Sequence, residues 1–270
     1  MPTTLPPAPE LRRRRPQAGE LPRRSPRLLG MFRRYVRWYV PRHFTALRLA
    51  RSGFHPDQVR GPMVVVLNHP SWWDPLLCLL LCDLFPKHDH YAPIDARMLQ
   101  KYRFFEKLGF FGIEPASVRG GRTFLETGSA ILREPHGALW VTGEGRFTDV
   151  RRRPVKLQGG LGHLLAQQPQ TTVLPLALEL VFWNERLPEA LARFGEPLAA
   201  EPNRSPAEWT SELQIALEHN LDALALDSQS RSPERFEILL EGRKGVGLAY
   251  DAWRRIHAFF TGKKFTAGHE

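Results

Sequence analysis

A histidine and an aspartate five residues apart are the pair in this sequence best suited to chemistry. His69 and Asp74 bound the segment HPSWWD, which closely follows the apolar run Met63–Leu67. Such a run predicts a buried strand. An imidazole is basic near neutral pH, and a carboxylate that holds one ring nitrogen leaves the other free to take a proton. The spacing therefore predicts an acid/base dyad at a strand end, with a merely structural pair as the alternative.

Strand-like and helix-like patterns alternate around this pair. Strands are predicted at residues 63–67, around Ile113, at residues 138–142 and at residues 173–180. Helices are predicted at residues 75–85, 122–132 and 156–167, with a further amphipathic helix around residues 249–260. Ser205, Pro206 and Glu208 predict a helix start, because they supply an N-cap, a first-turn proline and a capping-box glutamate. The alternation indicates an α/β fold with a central mixed, largely parallel sheet flanked by helices.

Most of the positive charge lies at the N-terminus. The formal net charge is +10 over 270 residues, yet residues 1–60 alone carry 14 Arg, no Lys and three acidic residues, so the remaining 210 residues sum to −1. A nucleic-acid-binding protein usually has its basic patch on the folded domain, so a nucleic-acid partner is not expected. A basic N-terminal arm on a near-neutral body fits a membrane surface with anionic lipids.

The sequence divides into three segments. Residues 1–26 contain seven prolines and a run of four arginines, a composition that predicts a disordered tail, and they lack the apolar core of a signal peptide. Residues 27–54 follow as an amphipathic, membrane-associating segment. Residues 55–270 are expected to form one large domain, since a chain of this length with 42% hydrophobic residues can bury a full core.

Residues 27–40 are predicted to form an amphipathic helix. At about 100° per residue, apolar and aromatic side chains occupy one arc of this helix and arginines occupy the other. Aromatic rings settle at the depth of lipid headgroups while guanidinium groups meet lipid phosphates. The residues expected to dock on a membrane are Arg33, Arg34, Arg37 and Trp38. A helix packed on the domain, with its arginines in water, is the alternative.

Cys78 and Cys82 are the only cysteines, and both lie in an apolar segment. No disulfide framework is expected, and a reducing compartment fits this cysteine usage. Together with His88 and His90 they suggest a metal-binding set, but thiols inside an apolar helix are ordinary core residues, so no metal is expected. The longest apolar stretch, residues 75–82, is far shorter than the roughly 20 residues that span a bilayer, so no transmembrane helix is expected.

Four segments occur in the order of the sequence blocks of one enzyme family. His69 and Asp74 match a His-x-x-x-x-Asp block, and residues 105–113, 143–146 and 173–177 follow as the second, third and fourth blocks. In these segments the chain resembles the 1-acylglycerol-3-phosphate acyltransferases, the glycerolipid or lysophospholipid acyltransferase family, from about residue 55 to residue 200. The resemblance implies that His69 is a general base for an acceptor hydroxyl and that Asp74 orients its ring.

The resemblance also implies the substrates and the location. A fatty acyl group is expected to move from acyl-CoA, or from the thioester of an acyl carrier protein, to a hydroxyl of a lipid acceptor such as lysophosphatidic acid. No cofactor is implied beyond this thioester co-substrate. The protein is expected to work as a peripheral enzyme on the cytoplasmic face of the membrane.

Acceptor binding is assigned by the resemblance to residues of the first and third blocks. The third block is usually Pro-Glu-Gly-Thr-Arg, and here Gly143 replaces the Pro and Arg146 stands where Thr is expected. The planar guanidinium of an arginine in this loop pairs with phosphate. The assigned residues are Asn68, Glu144, Gly145 and Arg146.

The second block departs further from the family pattern. It usually ends with a phosphate-binding Arg two residues after an Ile, but that place belongs to Pro115. Arg119 and Arg122 are candidates to replace this ligand, or else they are solvated at the start of the following helix. Two alternatives for function follow. The same fold acylates an acceptor without phosphate, such as a glycolipid sugar hydroxyl, or the chain is a non-catalytic peripheral lipid-binding protein.

Overall fold

A computed structural model describes residues 19–198 and 203–243. The strands in these ranges are β1 (Ala46–Ala50), β2 (Met63–Leu67), β3 (Asp89–Asp95), β4 (Phe110–Ile113), β5 (Gly137–Thr142), β6 (Thr172–Val181), β7 (Glu189–Phe194) and β8 (Phe236–Glu241). In this part of the chain they form one sheet in the order β4-β3-β5-β2-β6-β7-β1-β8. The helix predicted around residues 249–260, and residues 1–18 of the predicted tail, lie outside the described residues.

Most neighbouring strands of the sheet run parallel. β4, β3, β5, β2 and β6 form a parallel block. β7 is antiparallel to β6, β1 is parallel to β7, and β8 is antiparallel to β1. The predicted α/β class with a mixed, largely parallel sheet is confirmed. Because the carboxyl ends of parallel strands meet at one edge of a sheet, the loops after β2 and β5 lie side by side.

Helices cover both faces of the sheet. They are α1 (Pro26–Tyr39), α2 (Asp74–Leu81), α3 (Ala96–Lys101), α4 (Val118–Arg133), α5 (Gly160–Ala166) and α6 (Pro206–Gln229). Val64 and Val66 of β2 pack against α4, α5 and α6, whereas Val65 and Leu67 pack on the opposite face with the end of α2. A strand buried on both faces needs such a continuous apolar run. In the described ranges, none of the helices combines the length and the apolar character needed to cross a bilayer.

Two helix starts test the local sequence signals. Ser205 Oγ accepts a hydrogen bond from the Glu208 N–H at 3.3 Å, and the Glu208 carboxylate accepts one from the Ser205 N–H at 2.8 Å, so the predicted capping box is confirmed. α5 begins at Gly160, later than the predicted residue 156. The segment before it runs along the sheet edge instead, where the N–H of Gln158 donates to the carbonyl of Gly143 at 2.9 Å.

β1 lies inside the sheet, between β7 and β8. The folded domain therefore begins before β1 rather than at the predicted residue 55. The sequence pattern missed β1 because Arg48 interrupts its apolar run. The Nε of Arg48 donates to a carboxylate oxygen of Glu189 on β7 at 2.8 Å, and both side chains are buried. Since the partner is 141 residues away along the chain, local patterning could not reveal that this charge is neutralised.

Candidate active site

His69 and Asp74 are in contact at the carboxyl edge of the sheet. Nδ1 of His69 lies 2.6 Å from Oδ2 of Asp74. The histidine follows the end of β2, and the aspartate is the first residue of α2, so the residues between them turn the chain back on itself. The main-chain N–H of Ser71 donates to the same carboxylate oxygen at 3.1 Å, which holds that oxygen in place.

The two side chains of this pair differ in burial. That of Asp74 is 1% exposed, whereas that of His69 is 19% exposed. Burial raises the pKa of Asp74, while the hydrogen bonds from His69 and Ser71 oppose the rise. An ionised Asp74 accepts the Nδ1–H of His69, which assigns the free lone pair of the ring to Nε2. In this tautomer the imidazole is able to take a proton from a hydroxyl.

Asn68 fastens the chain just before the histidine to the neighbouring strand. Its side-chain amide donates to the carbonyl of Leu178 and accepts from the Leu178 N–H, each at 2.9 Å. The residue is buried, and both polar groups of its amide bond to β6. The structure therefore differs from the acceptor-binding role expected of Asn68, because this side chain fixes the main chain that carries His69.

The loop after β5, which contains the third block, is tied to the loop after β2. The N–H of Gly143 donates to the carbonyl of Leu67 at 2.9 Å, and the N–H of Thr148 donates to the carbonyl of His69 at 3.0 Å. A proline has no N–H, so Gly143 makes a hydrogen bond that the proline of the family pattern cannot make. Gly145 has a φ of +66°, in the left-handed region that favours glycine.

Glu144 supplies a buried carboxylate in the same loop. It is 5% exposed, and within the described ranges no group donates a hydrogen bond to its carboxylate. Its main-chain carbonyl accepts from the side-chain amide of Gln158 at 3.2 Å, which anchors the residue. Its carboxylate oxygens are nevertheless not among the fully buried atoms that lack a partner in the described residues, so they remain accessible from outside. A hydroxyl group of a bound substrate is a donor that this accessible carboxylate is able to bind.

Phe147 lies against the imidazole of His69. The two ring centroids are 4.3 Å apart with an interplanar angle of 37°, and Phe147 is 60% exposed. Phe147 was not among the residues predicted from the sequence, although its position in the third block carries a signal. In the register that puts Arg146 at the family's Thr, Phe147 stands at the family's Arg. Arg146 is exposed and forms no ion pair within the described residues.

Arg119 and Arg122, the candidates to replace the second-block ligand, lie away from His69. They are in the first turns of α4, which follows β4. β4 is three strand spacings from β2, about 14 Å at the usual spacing of roughly 4.8 Å. Arg119 pairs with Glu114 at 3.6 Å and Arg122 with Glu126 at 2.7 Å, and both guanidinium groups are largely exposed. The structure does not bring either arginine to the dyad.

Helix α1 packs on the domain with a different face from the one expected. Val36 is fully buried, and Arg33 and Arg37 both pair with Asp83, at 2.8 and 2.6 Å. These two arginines, expected to meet lipid phosphates, instead help to hold α1 on the domain. The exposed face of α1 includes Met31, Arg34, Tyr35 and Trp38. Of the four predicted docking residues, Arg34 and Trp38 thus lie on the outward side, and the side chain of Arg37, although paired with Asp83, is also 54% exposed.

Aromatic rings connect α1 with the loop that carries His69. Tyr35 stacks on Tyr39 with 5.4 Å between centroids, and Tyr39 stacks on Trp73 at 5.7 Å. Trp73 meets Trp72 edge to face at 5.4 Å, and Trp72 is 63% exposed. We call these four residues the aromatic ledge. A contiguous run of partly exposed aromatic rings is more typical of an interaction surface than scattered apolar residues are.

The cysteines and histidines that suggested a metal-binding set serve the core. Nδ1 of His90 accepts from the indole N–H of Trp140 at 3.1 Å, and Nε2 donates to the carbonyl of Phe85 at 3.2 Å. Burial lowers the pKa of His90 to about 3. Burial also raises the pKa of the Cys78 and Cys82 thiols. In the ranges that the structure describes, no three His, Cys, Asp or Glu side chains are grouped to hold a metal ion.

Comparisons with known proteins agree with this architecture. A family model described as Acyltransferase matches residues 46–179. Among solved structures, the chain is similar to the crystal structure of the 1-acyl-sn-glycerophosphate (LPA) acyltransferase PlsC from Thermotoga maritima, at 15% sequence identity and a TM-score of 0.50. The similarity covers 74% of this chain and 78% of that one, and at this identity it concerns the fold. No curated protein matches the sequence at a significant level.

Proposed function

The chain belongs to the acyltransferase family, and on that premise we propose that it transfers a fatty acyl group from a thioester to a hydroxyl of a lipid acceptor. The observation that carries the proposal is the 2.6 Å contact between His69 and Asp74 at the carboxyl edge of the sheet. This contact leaves Nε2 of the imidazole free. The exposed ring of Phe147 lies against this imidazole, and the exposed Trp72 is on the same loop as His69; both suit a lipid substrate.

His69 acts as the general base of the transfer. The acceptor hydroxyl gives its proton to Nε2 while its oxygen attacks the carbonyl carbon of the thioester. The tetrahedral intermediate then collapses: the carbon–sulfur bond breaks, the new ester stays on the acceptor, and the imidazolium returns its proton to the leaving thiolate. No protein nucleophile takes part, so no covalent acyl-enzyme forms. General-base catalysis of this kind contributes on the order of 10² to 10⁴ in rate.

Asp74 acts through His69 rather than on the substrate. Its carboxylate holds the Nδ1–H, keeps the ring in the productive tautomer and stabilises the imidazolium that forms, as the buried carboxylate does in hydrolase triads. The Asp74 side chain is almost fully buried, so water screens its attraction to the imidazolium only weakly. Asn68 and Ser71 are positioning residues, because their hydrogen bonds fix the chain on either side of this pair.

The acyl donor in this proposal is acyl-CoA or an acyl carrier protein, which present the same thioester. Exchange of sulfur for oxygen at an acyl carbon changes no oxidation state, so the reaction needs no redox cofactor. The family resemblance names lysophosphatidic acid as the acceptor, with Arg146 as the exposed cation for its phosphate. An acceptor without phosphate, such as a glycolipid sugar hydroxyl, is the second candidate. It is favoured by Pro115 in the place of the second-block Arg.

The proposed site of action is the surface of a membrane with anionic lipids, on its cytoplasmic face. Met31, Tyr35 and Trp38 are exposed on α1 beside Arg34, and this mixture of large apolar and cationic side chains suits the interface. The aromatic ledge leads from this face toward His69. In this arrangement the acceptor reaches the base without leaving the lipid surface.

The proposal is tested with the full chain on vesicles that contain a lipid alcohol, with acyl-CoA as donor. Released thiol is measured by a colorimetric assay, and new lipid ester by mass spectrometry. We expect one ester for each thiol released. Vesicle binding without thiol release would instead indicate a non-catalytic lipid-binding protein. Thiol release without new ester would indicate thioester hydrolysis, and either result contradicts acyl transfer.

A further inference from the structure

We propose that the acceptor presents an uncharged polyhydroxyl headgroup to His69, with Phe147 as its apolar platform and Glu144 as its hydrogen-bond acceptor. The inference rests on the acyl transfer proposed above and specifies the class of its acceptor. A sugar ring or a glycerol unit, carried on a lipid and lacking phosphate, has this chemistry.

Phe147 places an apolar ring beside the catalytic nitrogen. Its centroid is 4.3 Å from that of the His69 imidazole, and most of the ring is exposed. A headgroup that brings a hydroxyl to Nε2 of His69 therefore meets the face of Phe147. An aromatic face gains free energy by covering apolar surface, such as the C–H face of a sugar ring or a glycerol backbone. It offers a phosphate neither a charge nor a hydrogen-bond donor.

The two positions where the family pattern puts a phosphate-binding arginine are both apolar in this chain. One is Pro115 and the other is Phe147. The arginines nearest in sequence to the first position, Arg119 and Arg122, are already paired with Glu114 and Glu126. They also start a helix about three strand spacings from β2. The site therefore lacks the two arginines that bind the phosphate of the acceptor in the family pattern.

Glu144 offers a carboxylate to a hydroxyl of the acceptor. It lies in the loop whose ends bond to the main chain at Leu67 and His69, and it is 5% exposed. A second buried carboxylate, Asp74, already holds the imidazole. The family pattern contains the same aspartate and the same glutamate, so the apolar Pro115 and Phe147, and not these carboxylates, argue against a phosphate. A hydroxyl of the acceptor donates a hydrogen bond to Glu144, whose carboxylate oxygens accept none from the described residues and are not fully enclosed.

Arg146 is the residue that separates this proposal from its rival. Its side chain is exposed and forms no ion pair in the described parts of the chain. If the acceptor carried a phosphate, this neighbour of Phe147 would be the cation to bind it. With an uncharged acceptor, the guanidinium remains in water and its removal changes little.

The first experiment compares three acceptors that carry the same alkyl or acyl chain: a monoacylglycerol, an alkyl glucoside and lysophosphatidic acid. With the full chain, vesicles and acyl-CoA, we expect kcat/KM for at least one uncharged acceptor to exceed that for lysophosphatidic acid by tenfold or more. The ratio between monoacylglycerol and alkyl glucoside identifies glycerol or sugar as the headgroup. Equal or faster reaction with lysophosphatidic acid overturns the inference.

The second experiment changes the residues that are proposed to select the acceptor. Phe147→Arg should raise the preference for lysophosphatidic acid over the uncharged acceptor by at least tenfold, and Phe147→Ala should raise KM for the uncharged acceptor. Phe182→Ala, which removes another exposed phenylalanine, should change neither. Glu144→Leu should lower kcat/KM for the uncharged acceptor by about tenfold, with most of the loss restored in Glu144→Gln. A Phe147→Arg enzyme with unchanged preference contradicts the proposal.

Arg146→Gln completes the test. We expect the preference among the three acceptors to stay within about twofold of the wild type. A selective loss of reaction with lysophosphatidic acid overturns the inference while leaving acyl transfer intact. If none of the three acceptors is acylated, the proposed function itself is contradicted, and the inference with it.

Discussion

Thr148, on the loop after β5, donates its main-chain N–H to the carbonyl of His69 at 3.0 Å. Its neighbour Phe147 lies against the imidazole of the same histidine. The loop after β5, which contains Phe147 and Thr148, is therefore fixed to the loop that contains His69. A change in the backbone of the loop after β5 should therefore displace the imidazole of His69.

Gly145→Ala tests this coupling. The glycine has a φ of +66°, and a side chain in that region costs about 1–2 kcal/mol. We expect a lower melting temperature and a roughly tenfold lower kcat, because the loop shifts away from His69 to relieve the strain. Gly121→Ala is the matched control, since it lies in α4 with open space around the added methyl group. A similar loss of activity in the control would contradict a specific effect of the loop.

Asp74→Asn should separate activity from stability. Burial raises the pKa of Asp74 from its ordinary value of 3.8, so the folded state holds the proton more tightly than the unfolded state does. The stabilisation from protonated Asp74 is present below pH 3.8 and is lost as the pH rises through the raised value. The Asp74→Asn variant carries an uncharged amide at this position, so it does not lose stability in this way as the pH rises. At neutral pH we therefore expect kcat to fall by at least about 10² while the melting temperature holds or rises.

The pH dependence of the Asp74→Asn variant provides the control. The melting temperature of the variant minus that of the wild type should increase as the pH is raised from 4 toward neutral. If the variant instead loses stability relative to the wild type over this range, the ionised carboxylate stabilises the fold, and the assignment of burial as the dominant influence on Asp74 is wrong.

The buried ion pair between Arg48 and Glu189 should behave as a coupled unit. Arg48→Met leaves a buried, unpaired carboxylate, and such a loss costs about 3–5 kcal/mol. The double variant Arg48→Met/Glu189→Leu removes both charges and should recover most of the free energy of unfolding. Urea denaturation of the wild type, both single variants and the double variant measures the coupling. Additive losses would contradict it.

Arg48 also shows why some strands could be predicted from the sequence and others could not. The run Met63–Leu67 predicted β2 with its bounds because its apolar character is local. β1 and β7 were not predicted, since Arg48 lies within the first and Arg193 within the second. The groups that accommodate these charges, Glu189 for Arg48 and Asn220 for Arg193, are distant in the sequence or on another element. β3 was not predicted either, because His90 and Pro93 lie within it. Helix starts with their own caps, such as Ser205, could be predicted from neighbouring residues alone.

In the candidate site, too, contacts between residues close in sequence could be predicted, whereas contacts between distant strands could not. The distance between His69 and Asp74 follows from five residues of local chain, so their pairing could be predicted from spacing. The contacts of Asn68 with Leu178 and of Phe147 with His69 depend on how distant strands are aligned. Those contacts are visible only in the assembled sheet. They changed the role expected of Asn68 and added Phe147 to the site.

The outward face of α1 should govern vesicle binding. Replacing Tyr35 and Trp38 with alanine removes two exposed aromatic side chains, and the partition coefficient onto anionic vesicles should fall by roughly tenfold or more. High salt should weaken binding of the wild type, because lipid charge attracts the arginines. Cosedimentation measures both effects. The control replaces Ile215 and Leu226, exposed on α6, and an equal loss there would contradict docking through α1.

The most direct test of the account is the rate of acyl transfer in His69→Ala compared with wild type and with His163→Ala, a change at an exposed histidine on α5. Thiol release and ester formation are measured together at saturating acyl-CoA, with circular dichroism to verify folding. We expect a loss on the order of 10² to 10⁴ in kcat for His69→Ala and wild-type activity for His163→Ala. A folded His69→Ala enzyme that retains full transfer would contradict the assignment of His69 as the base.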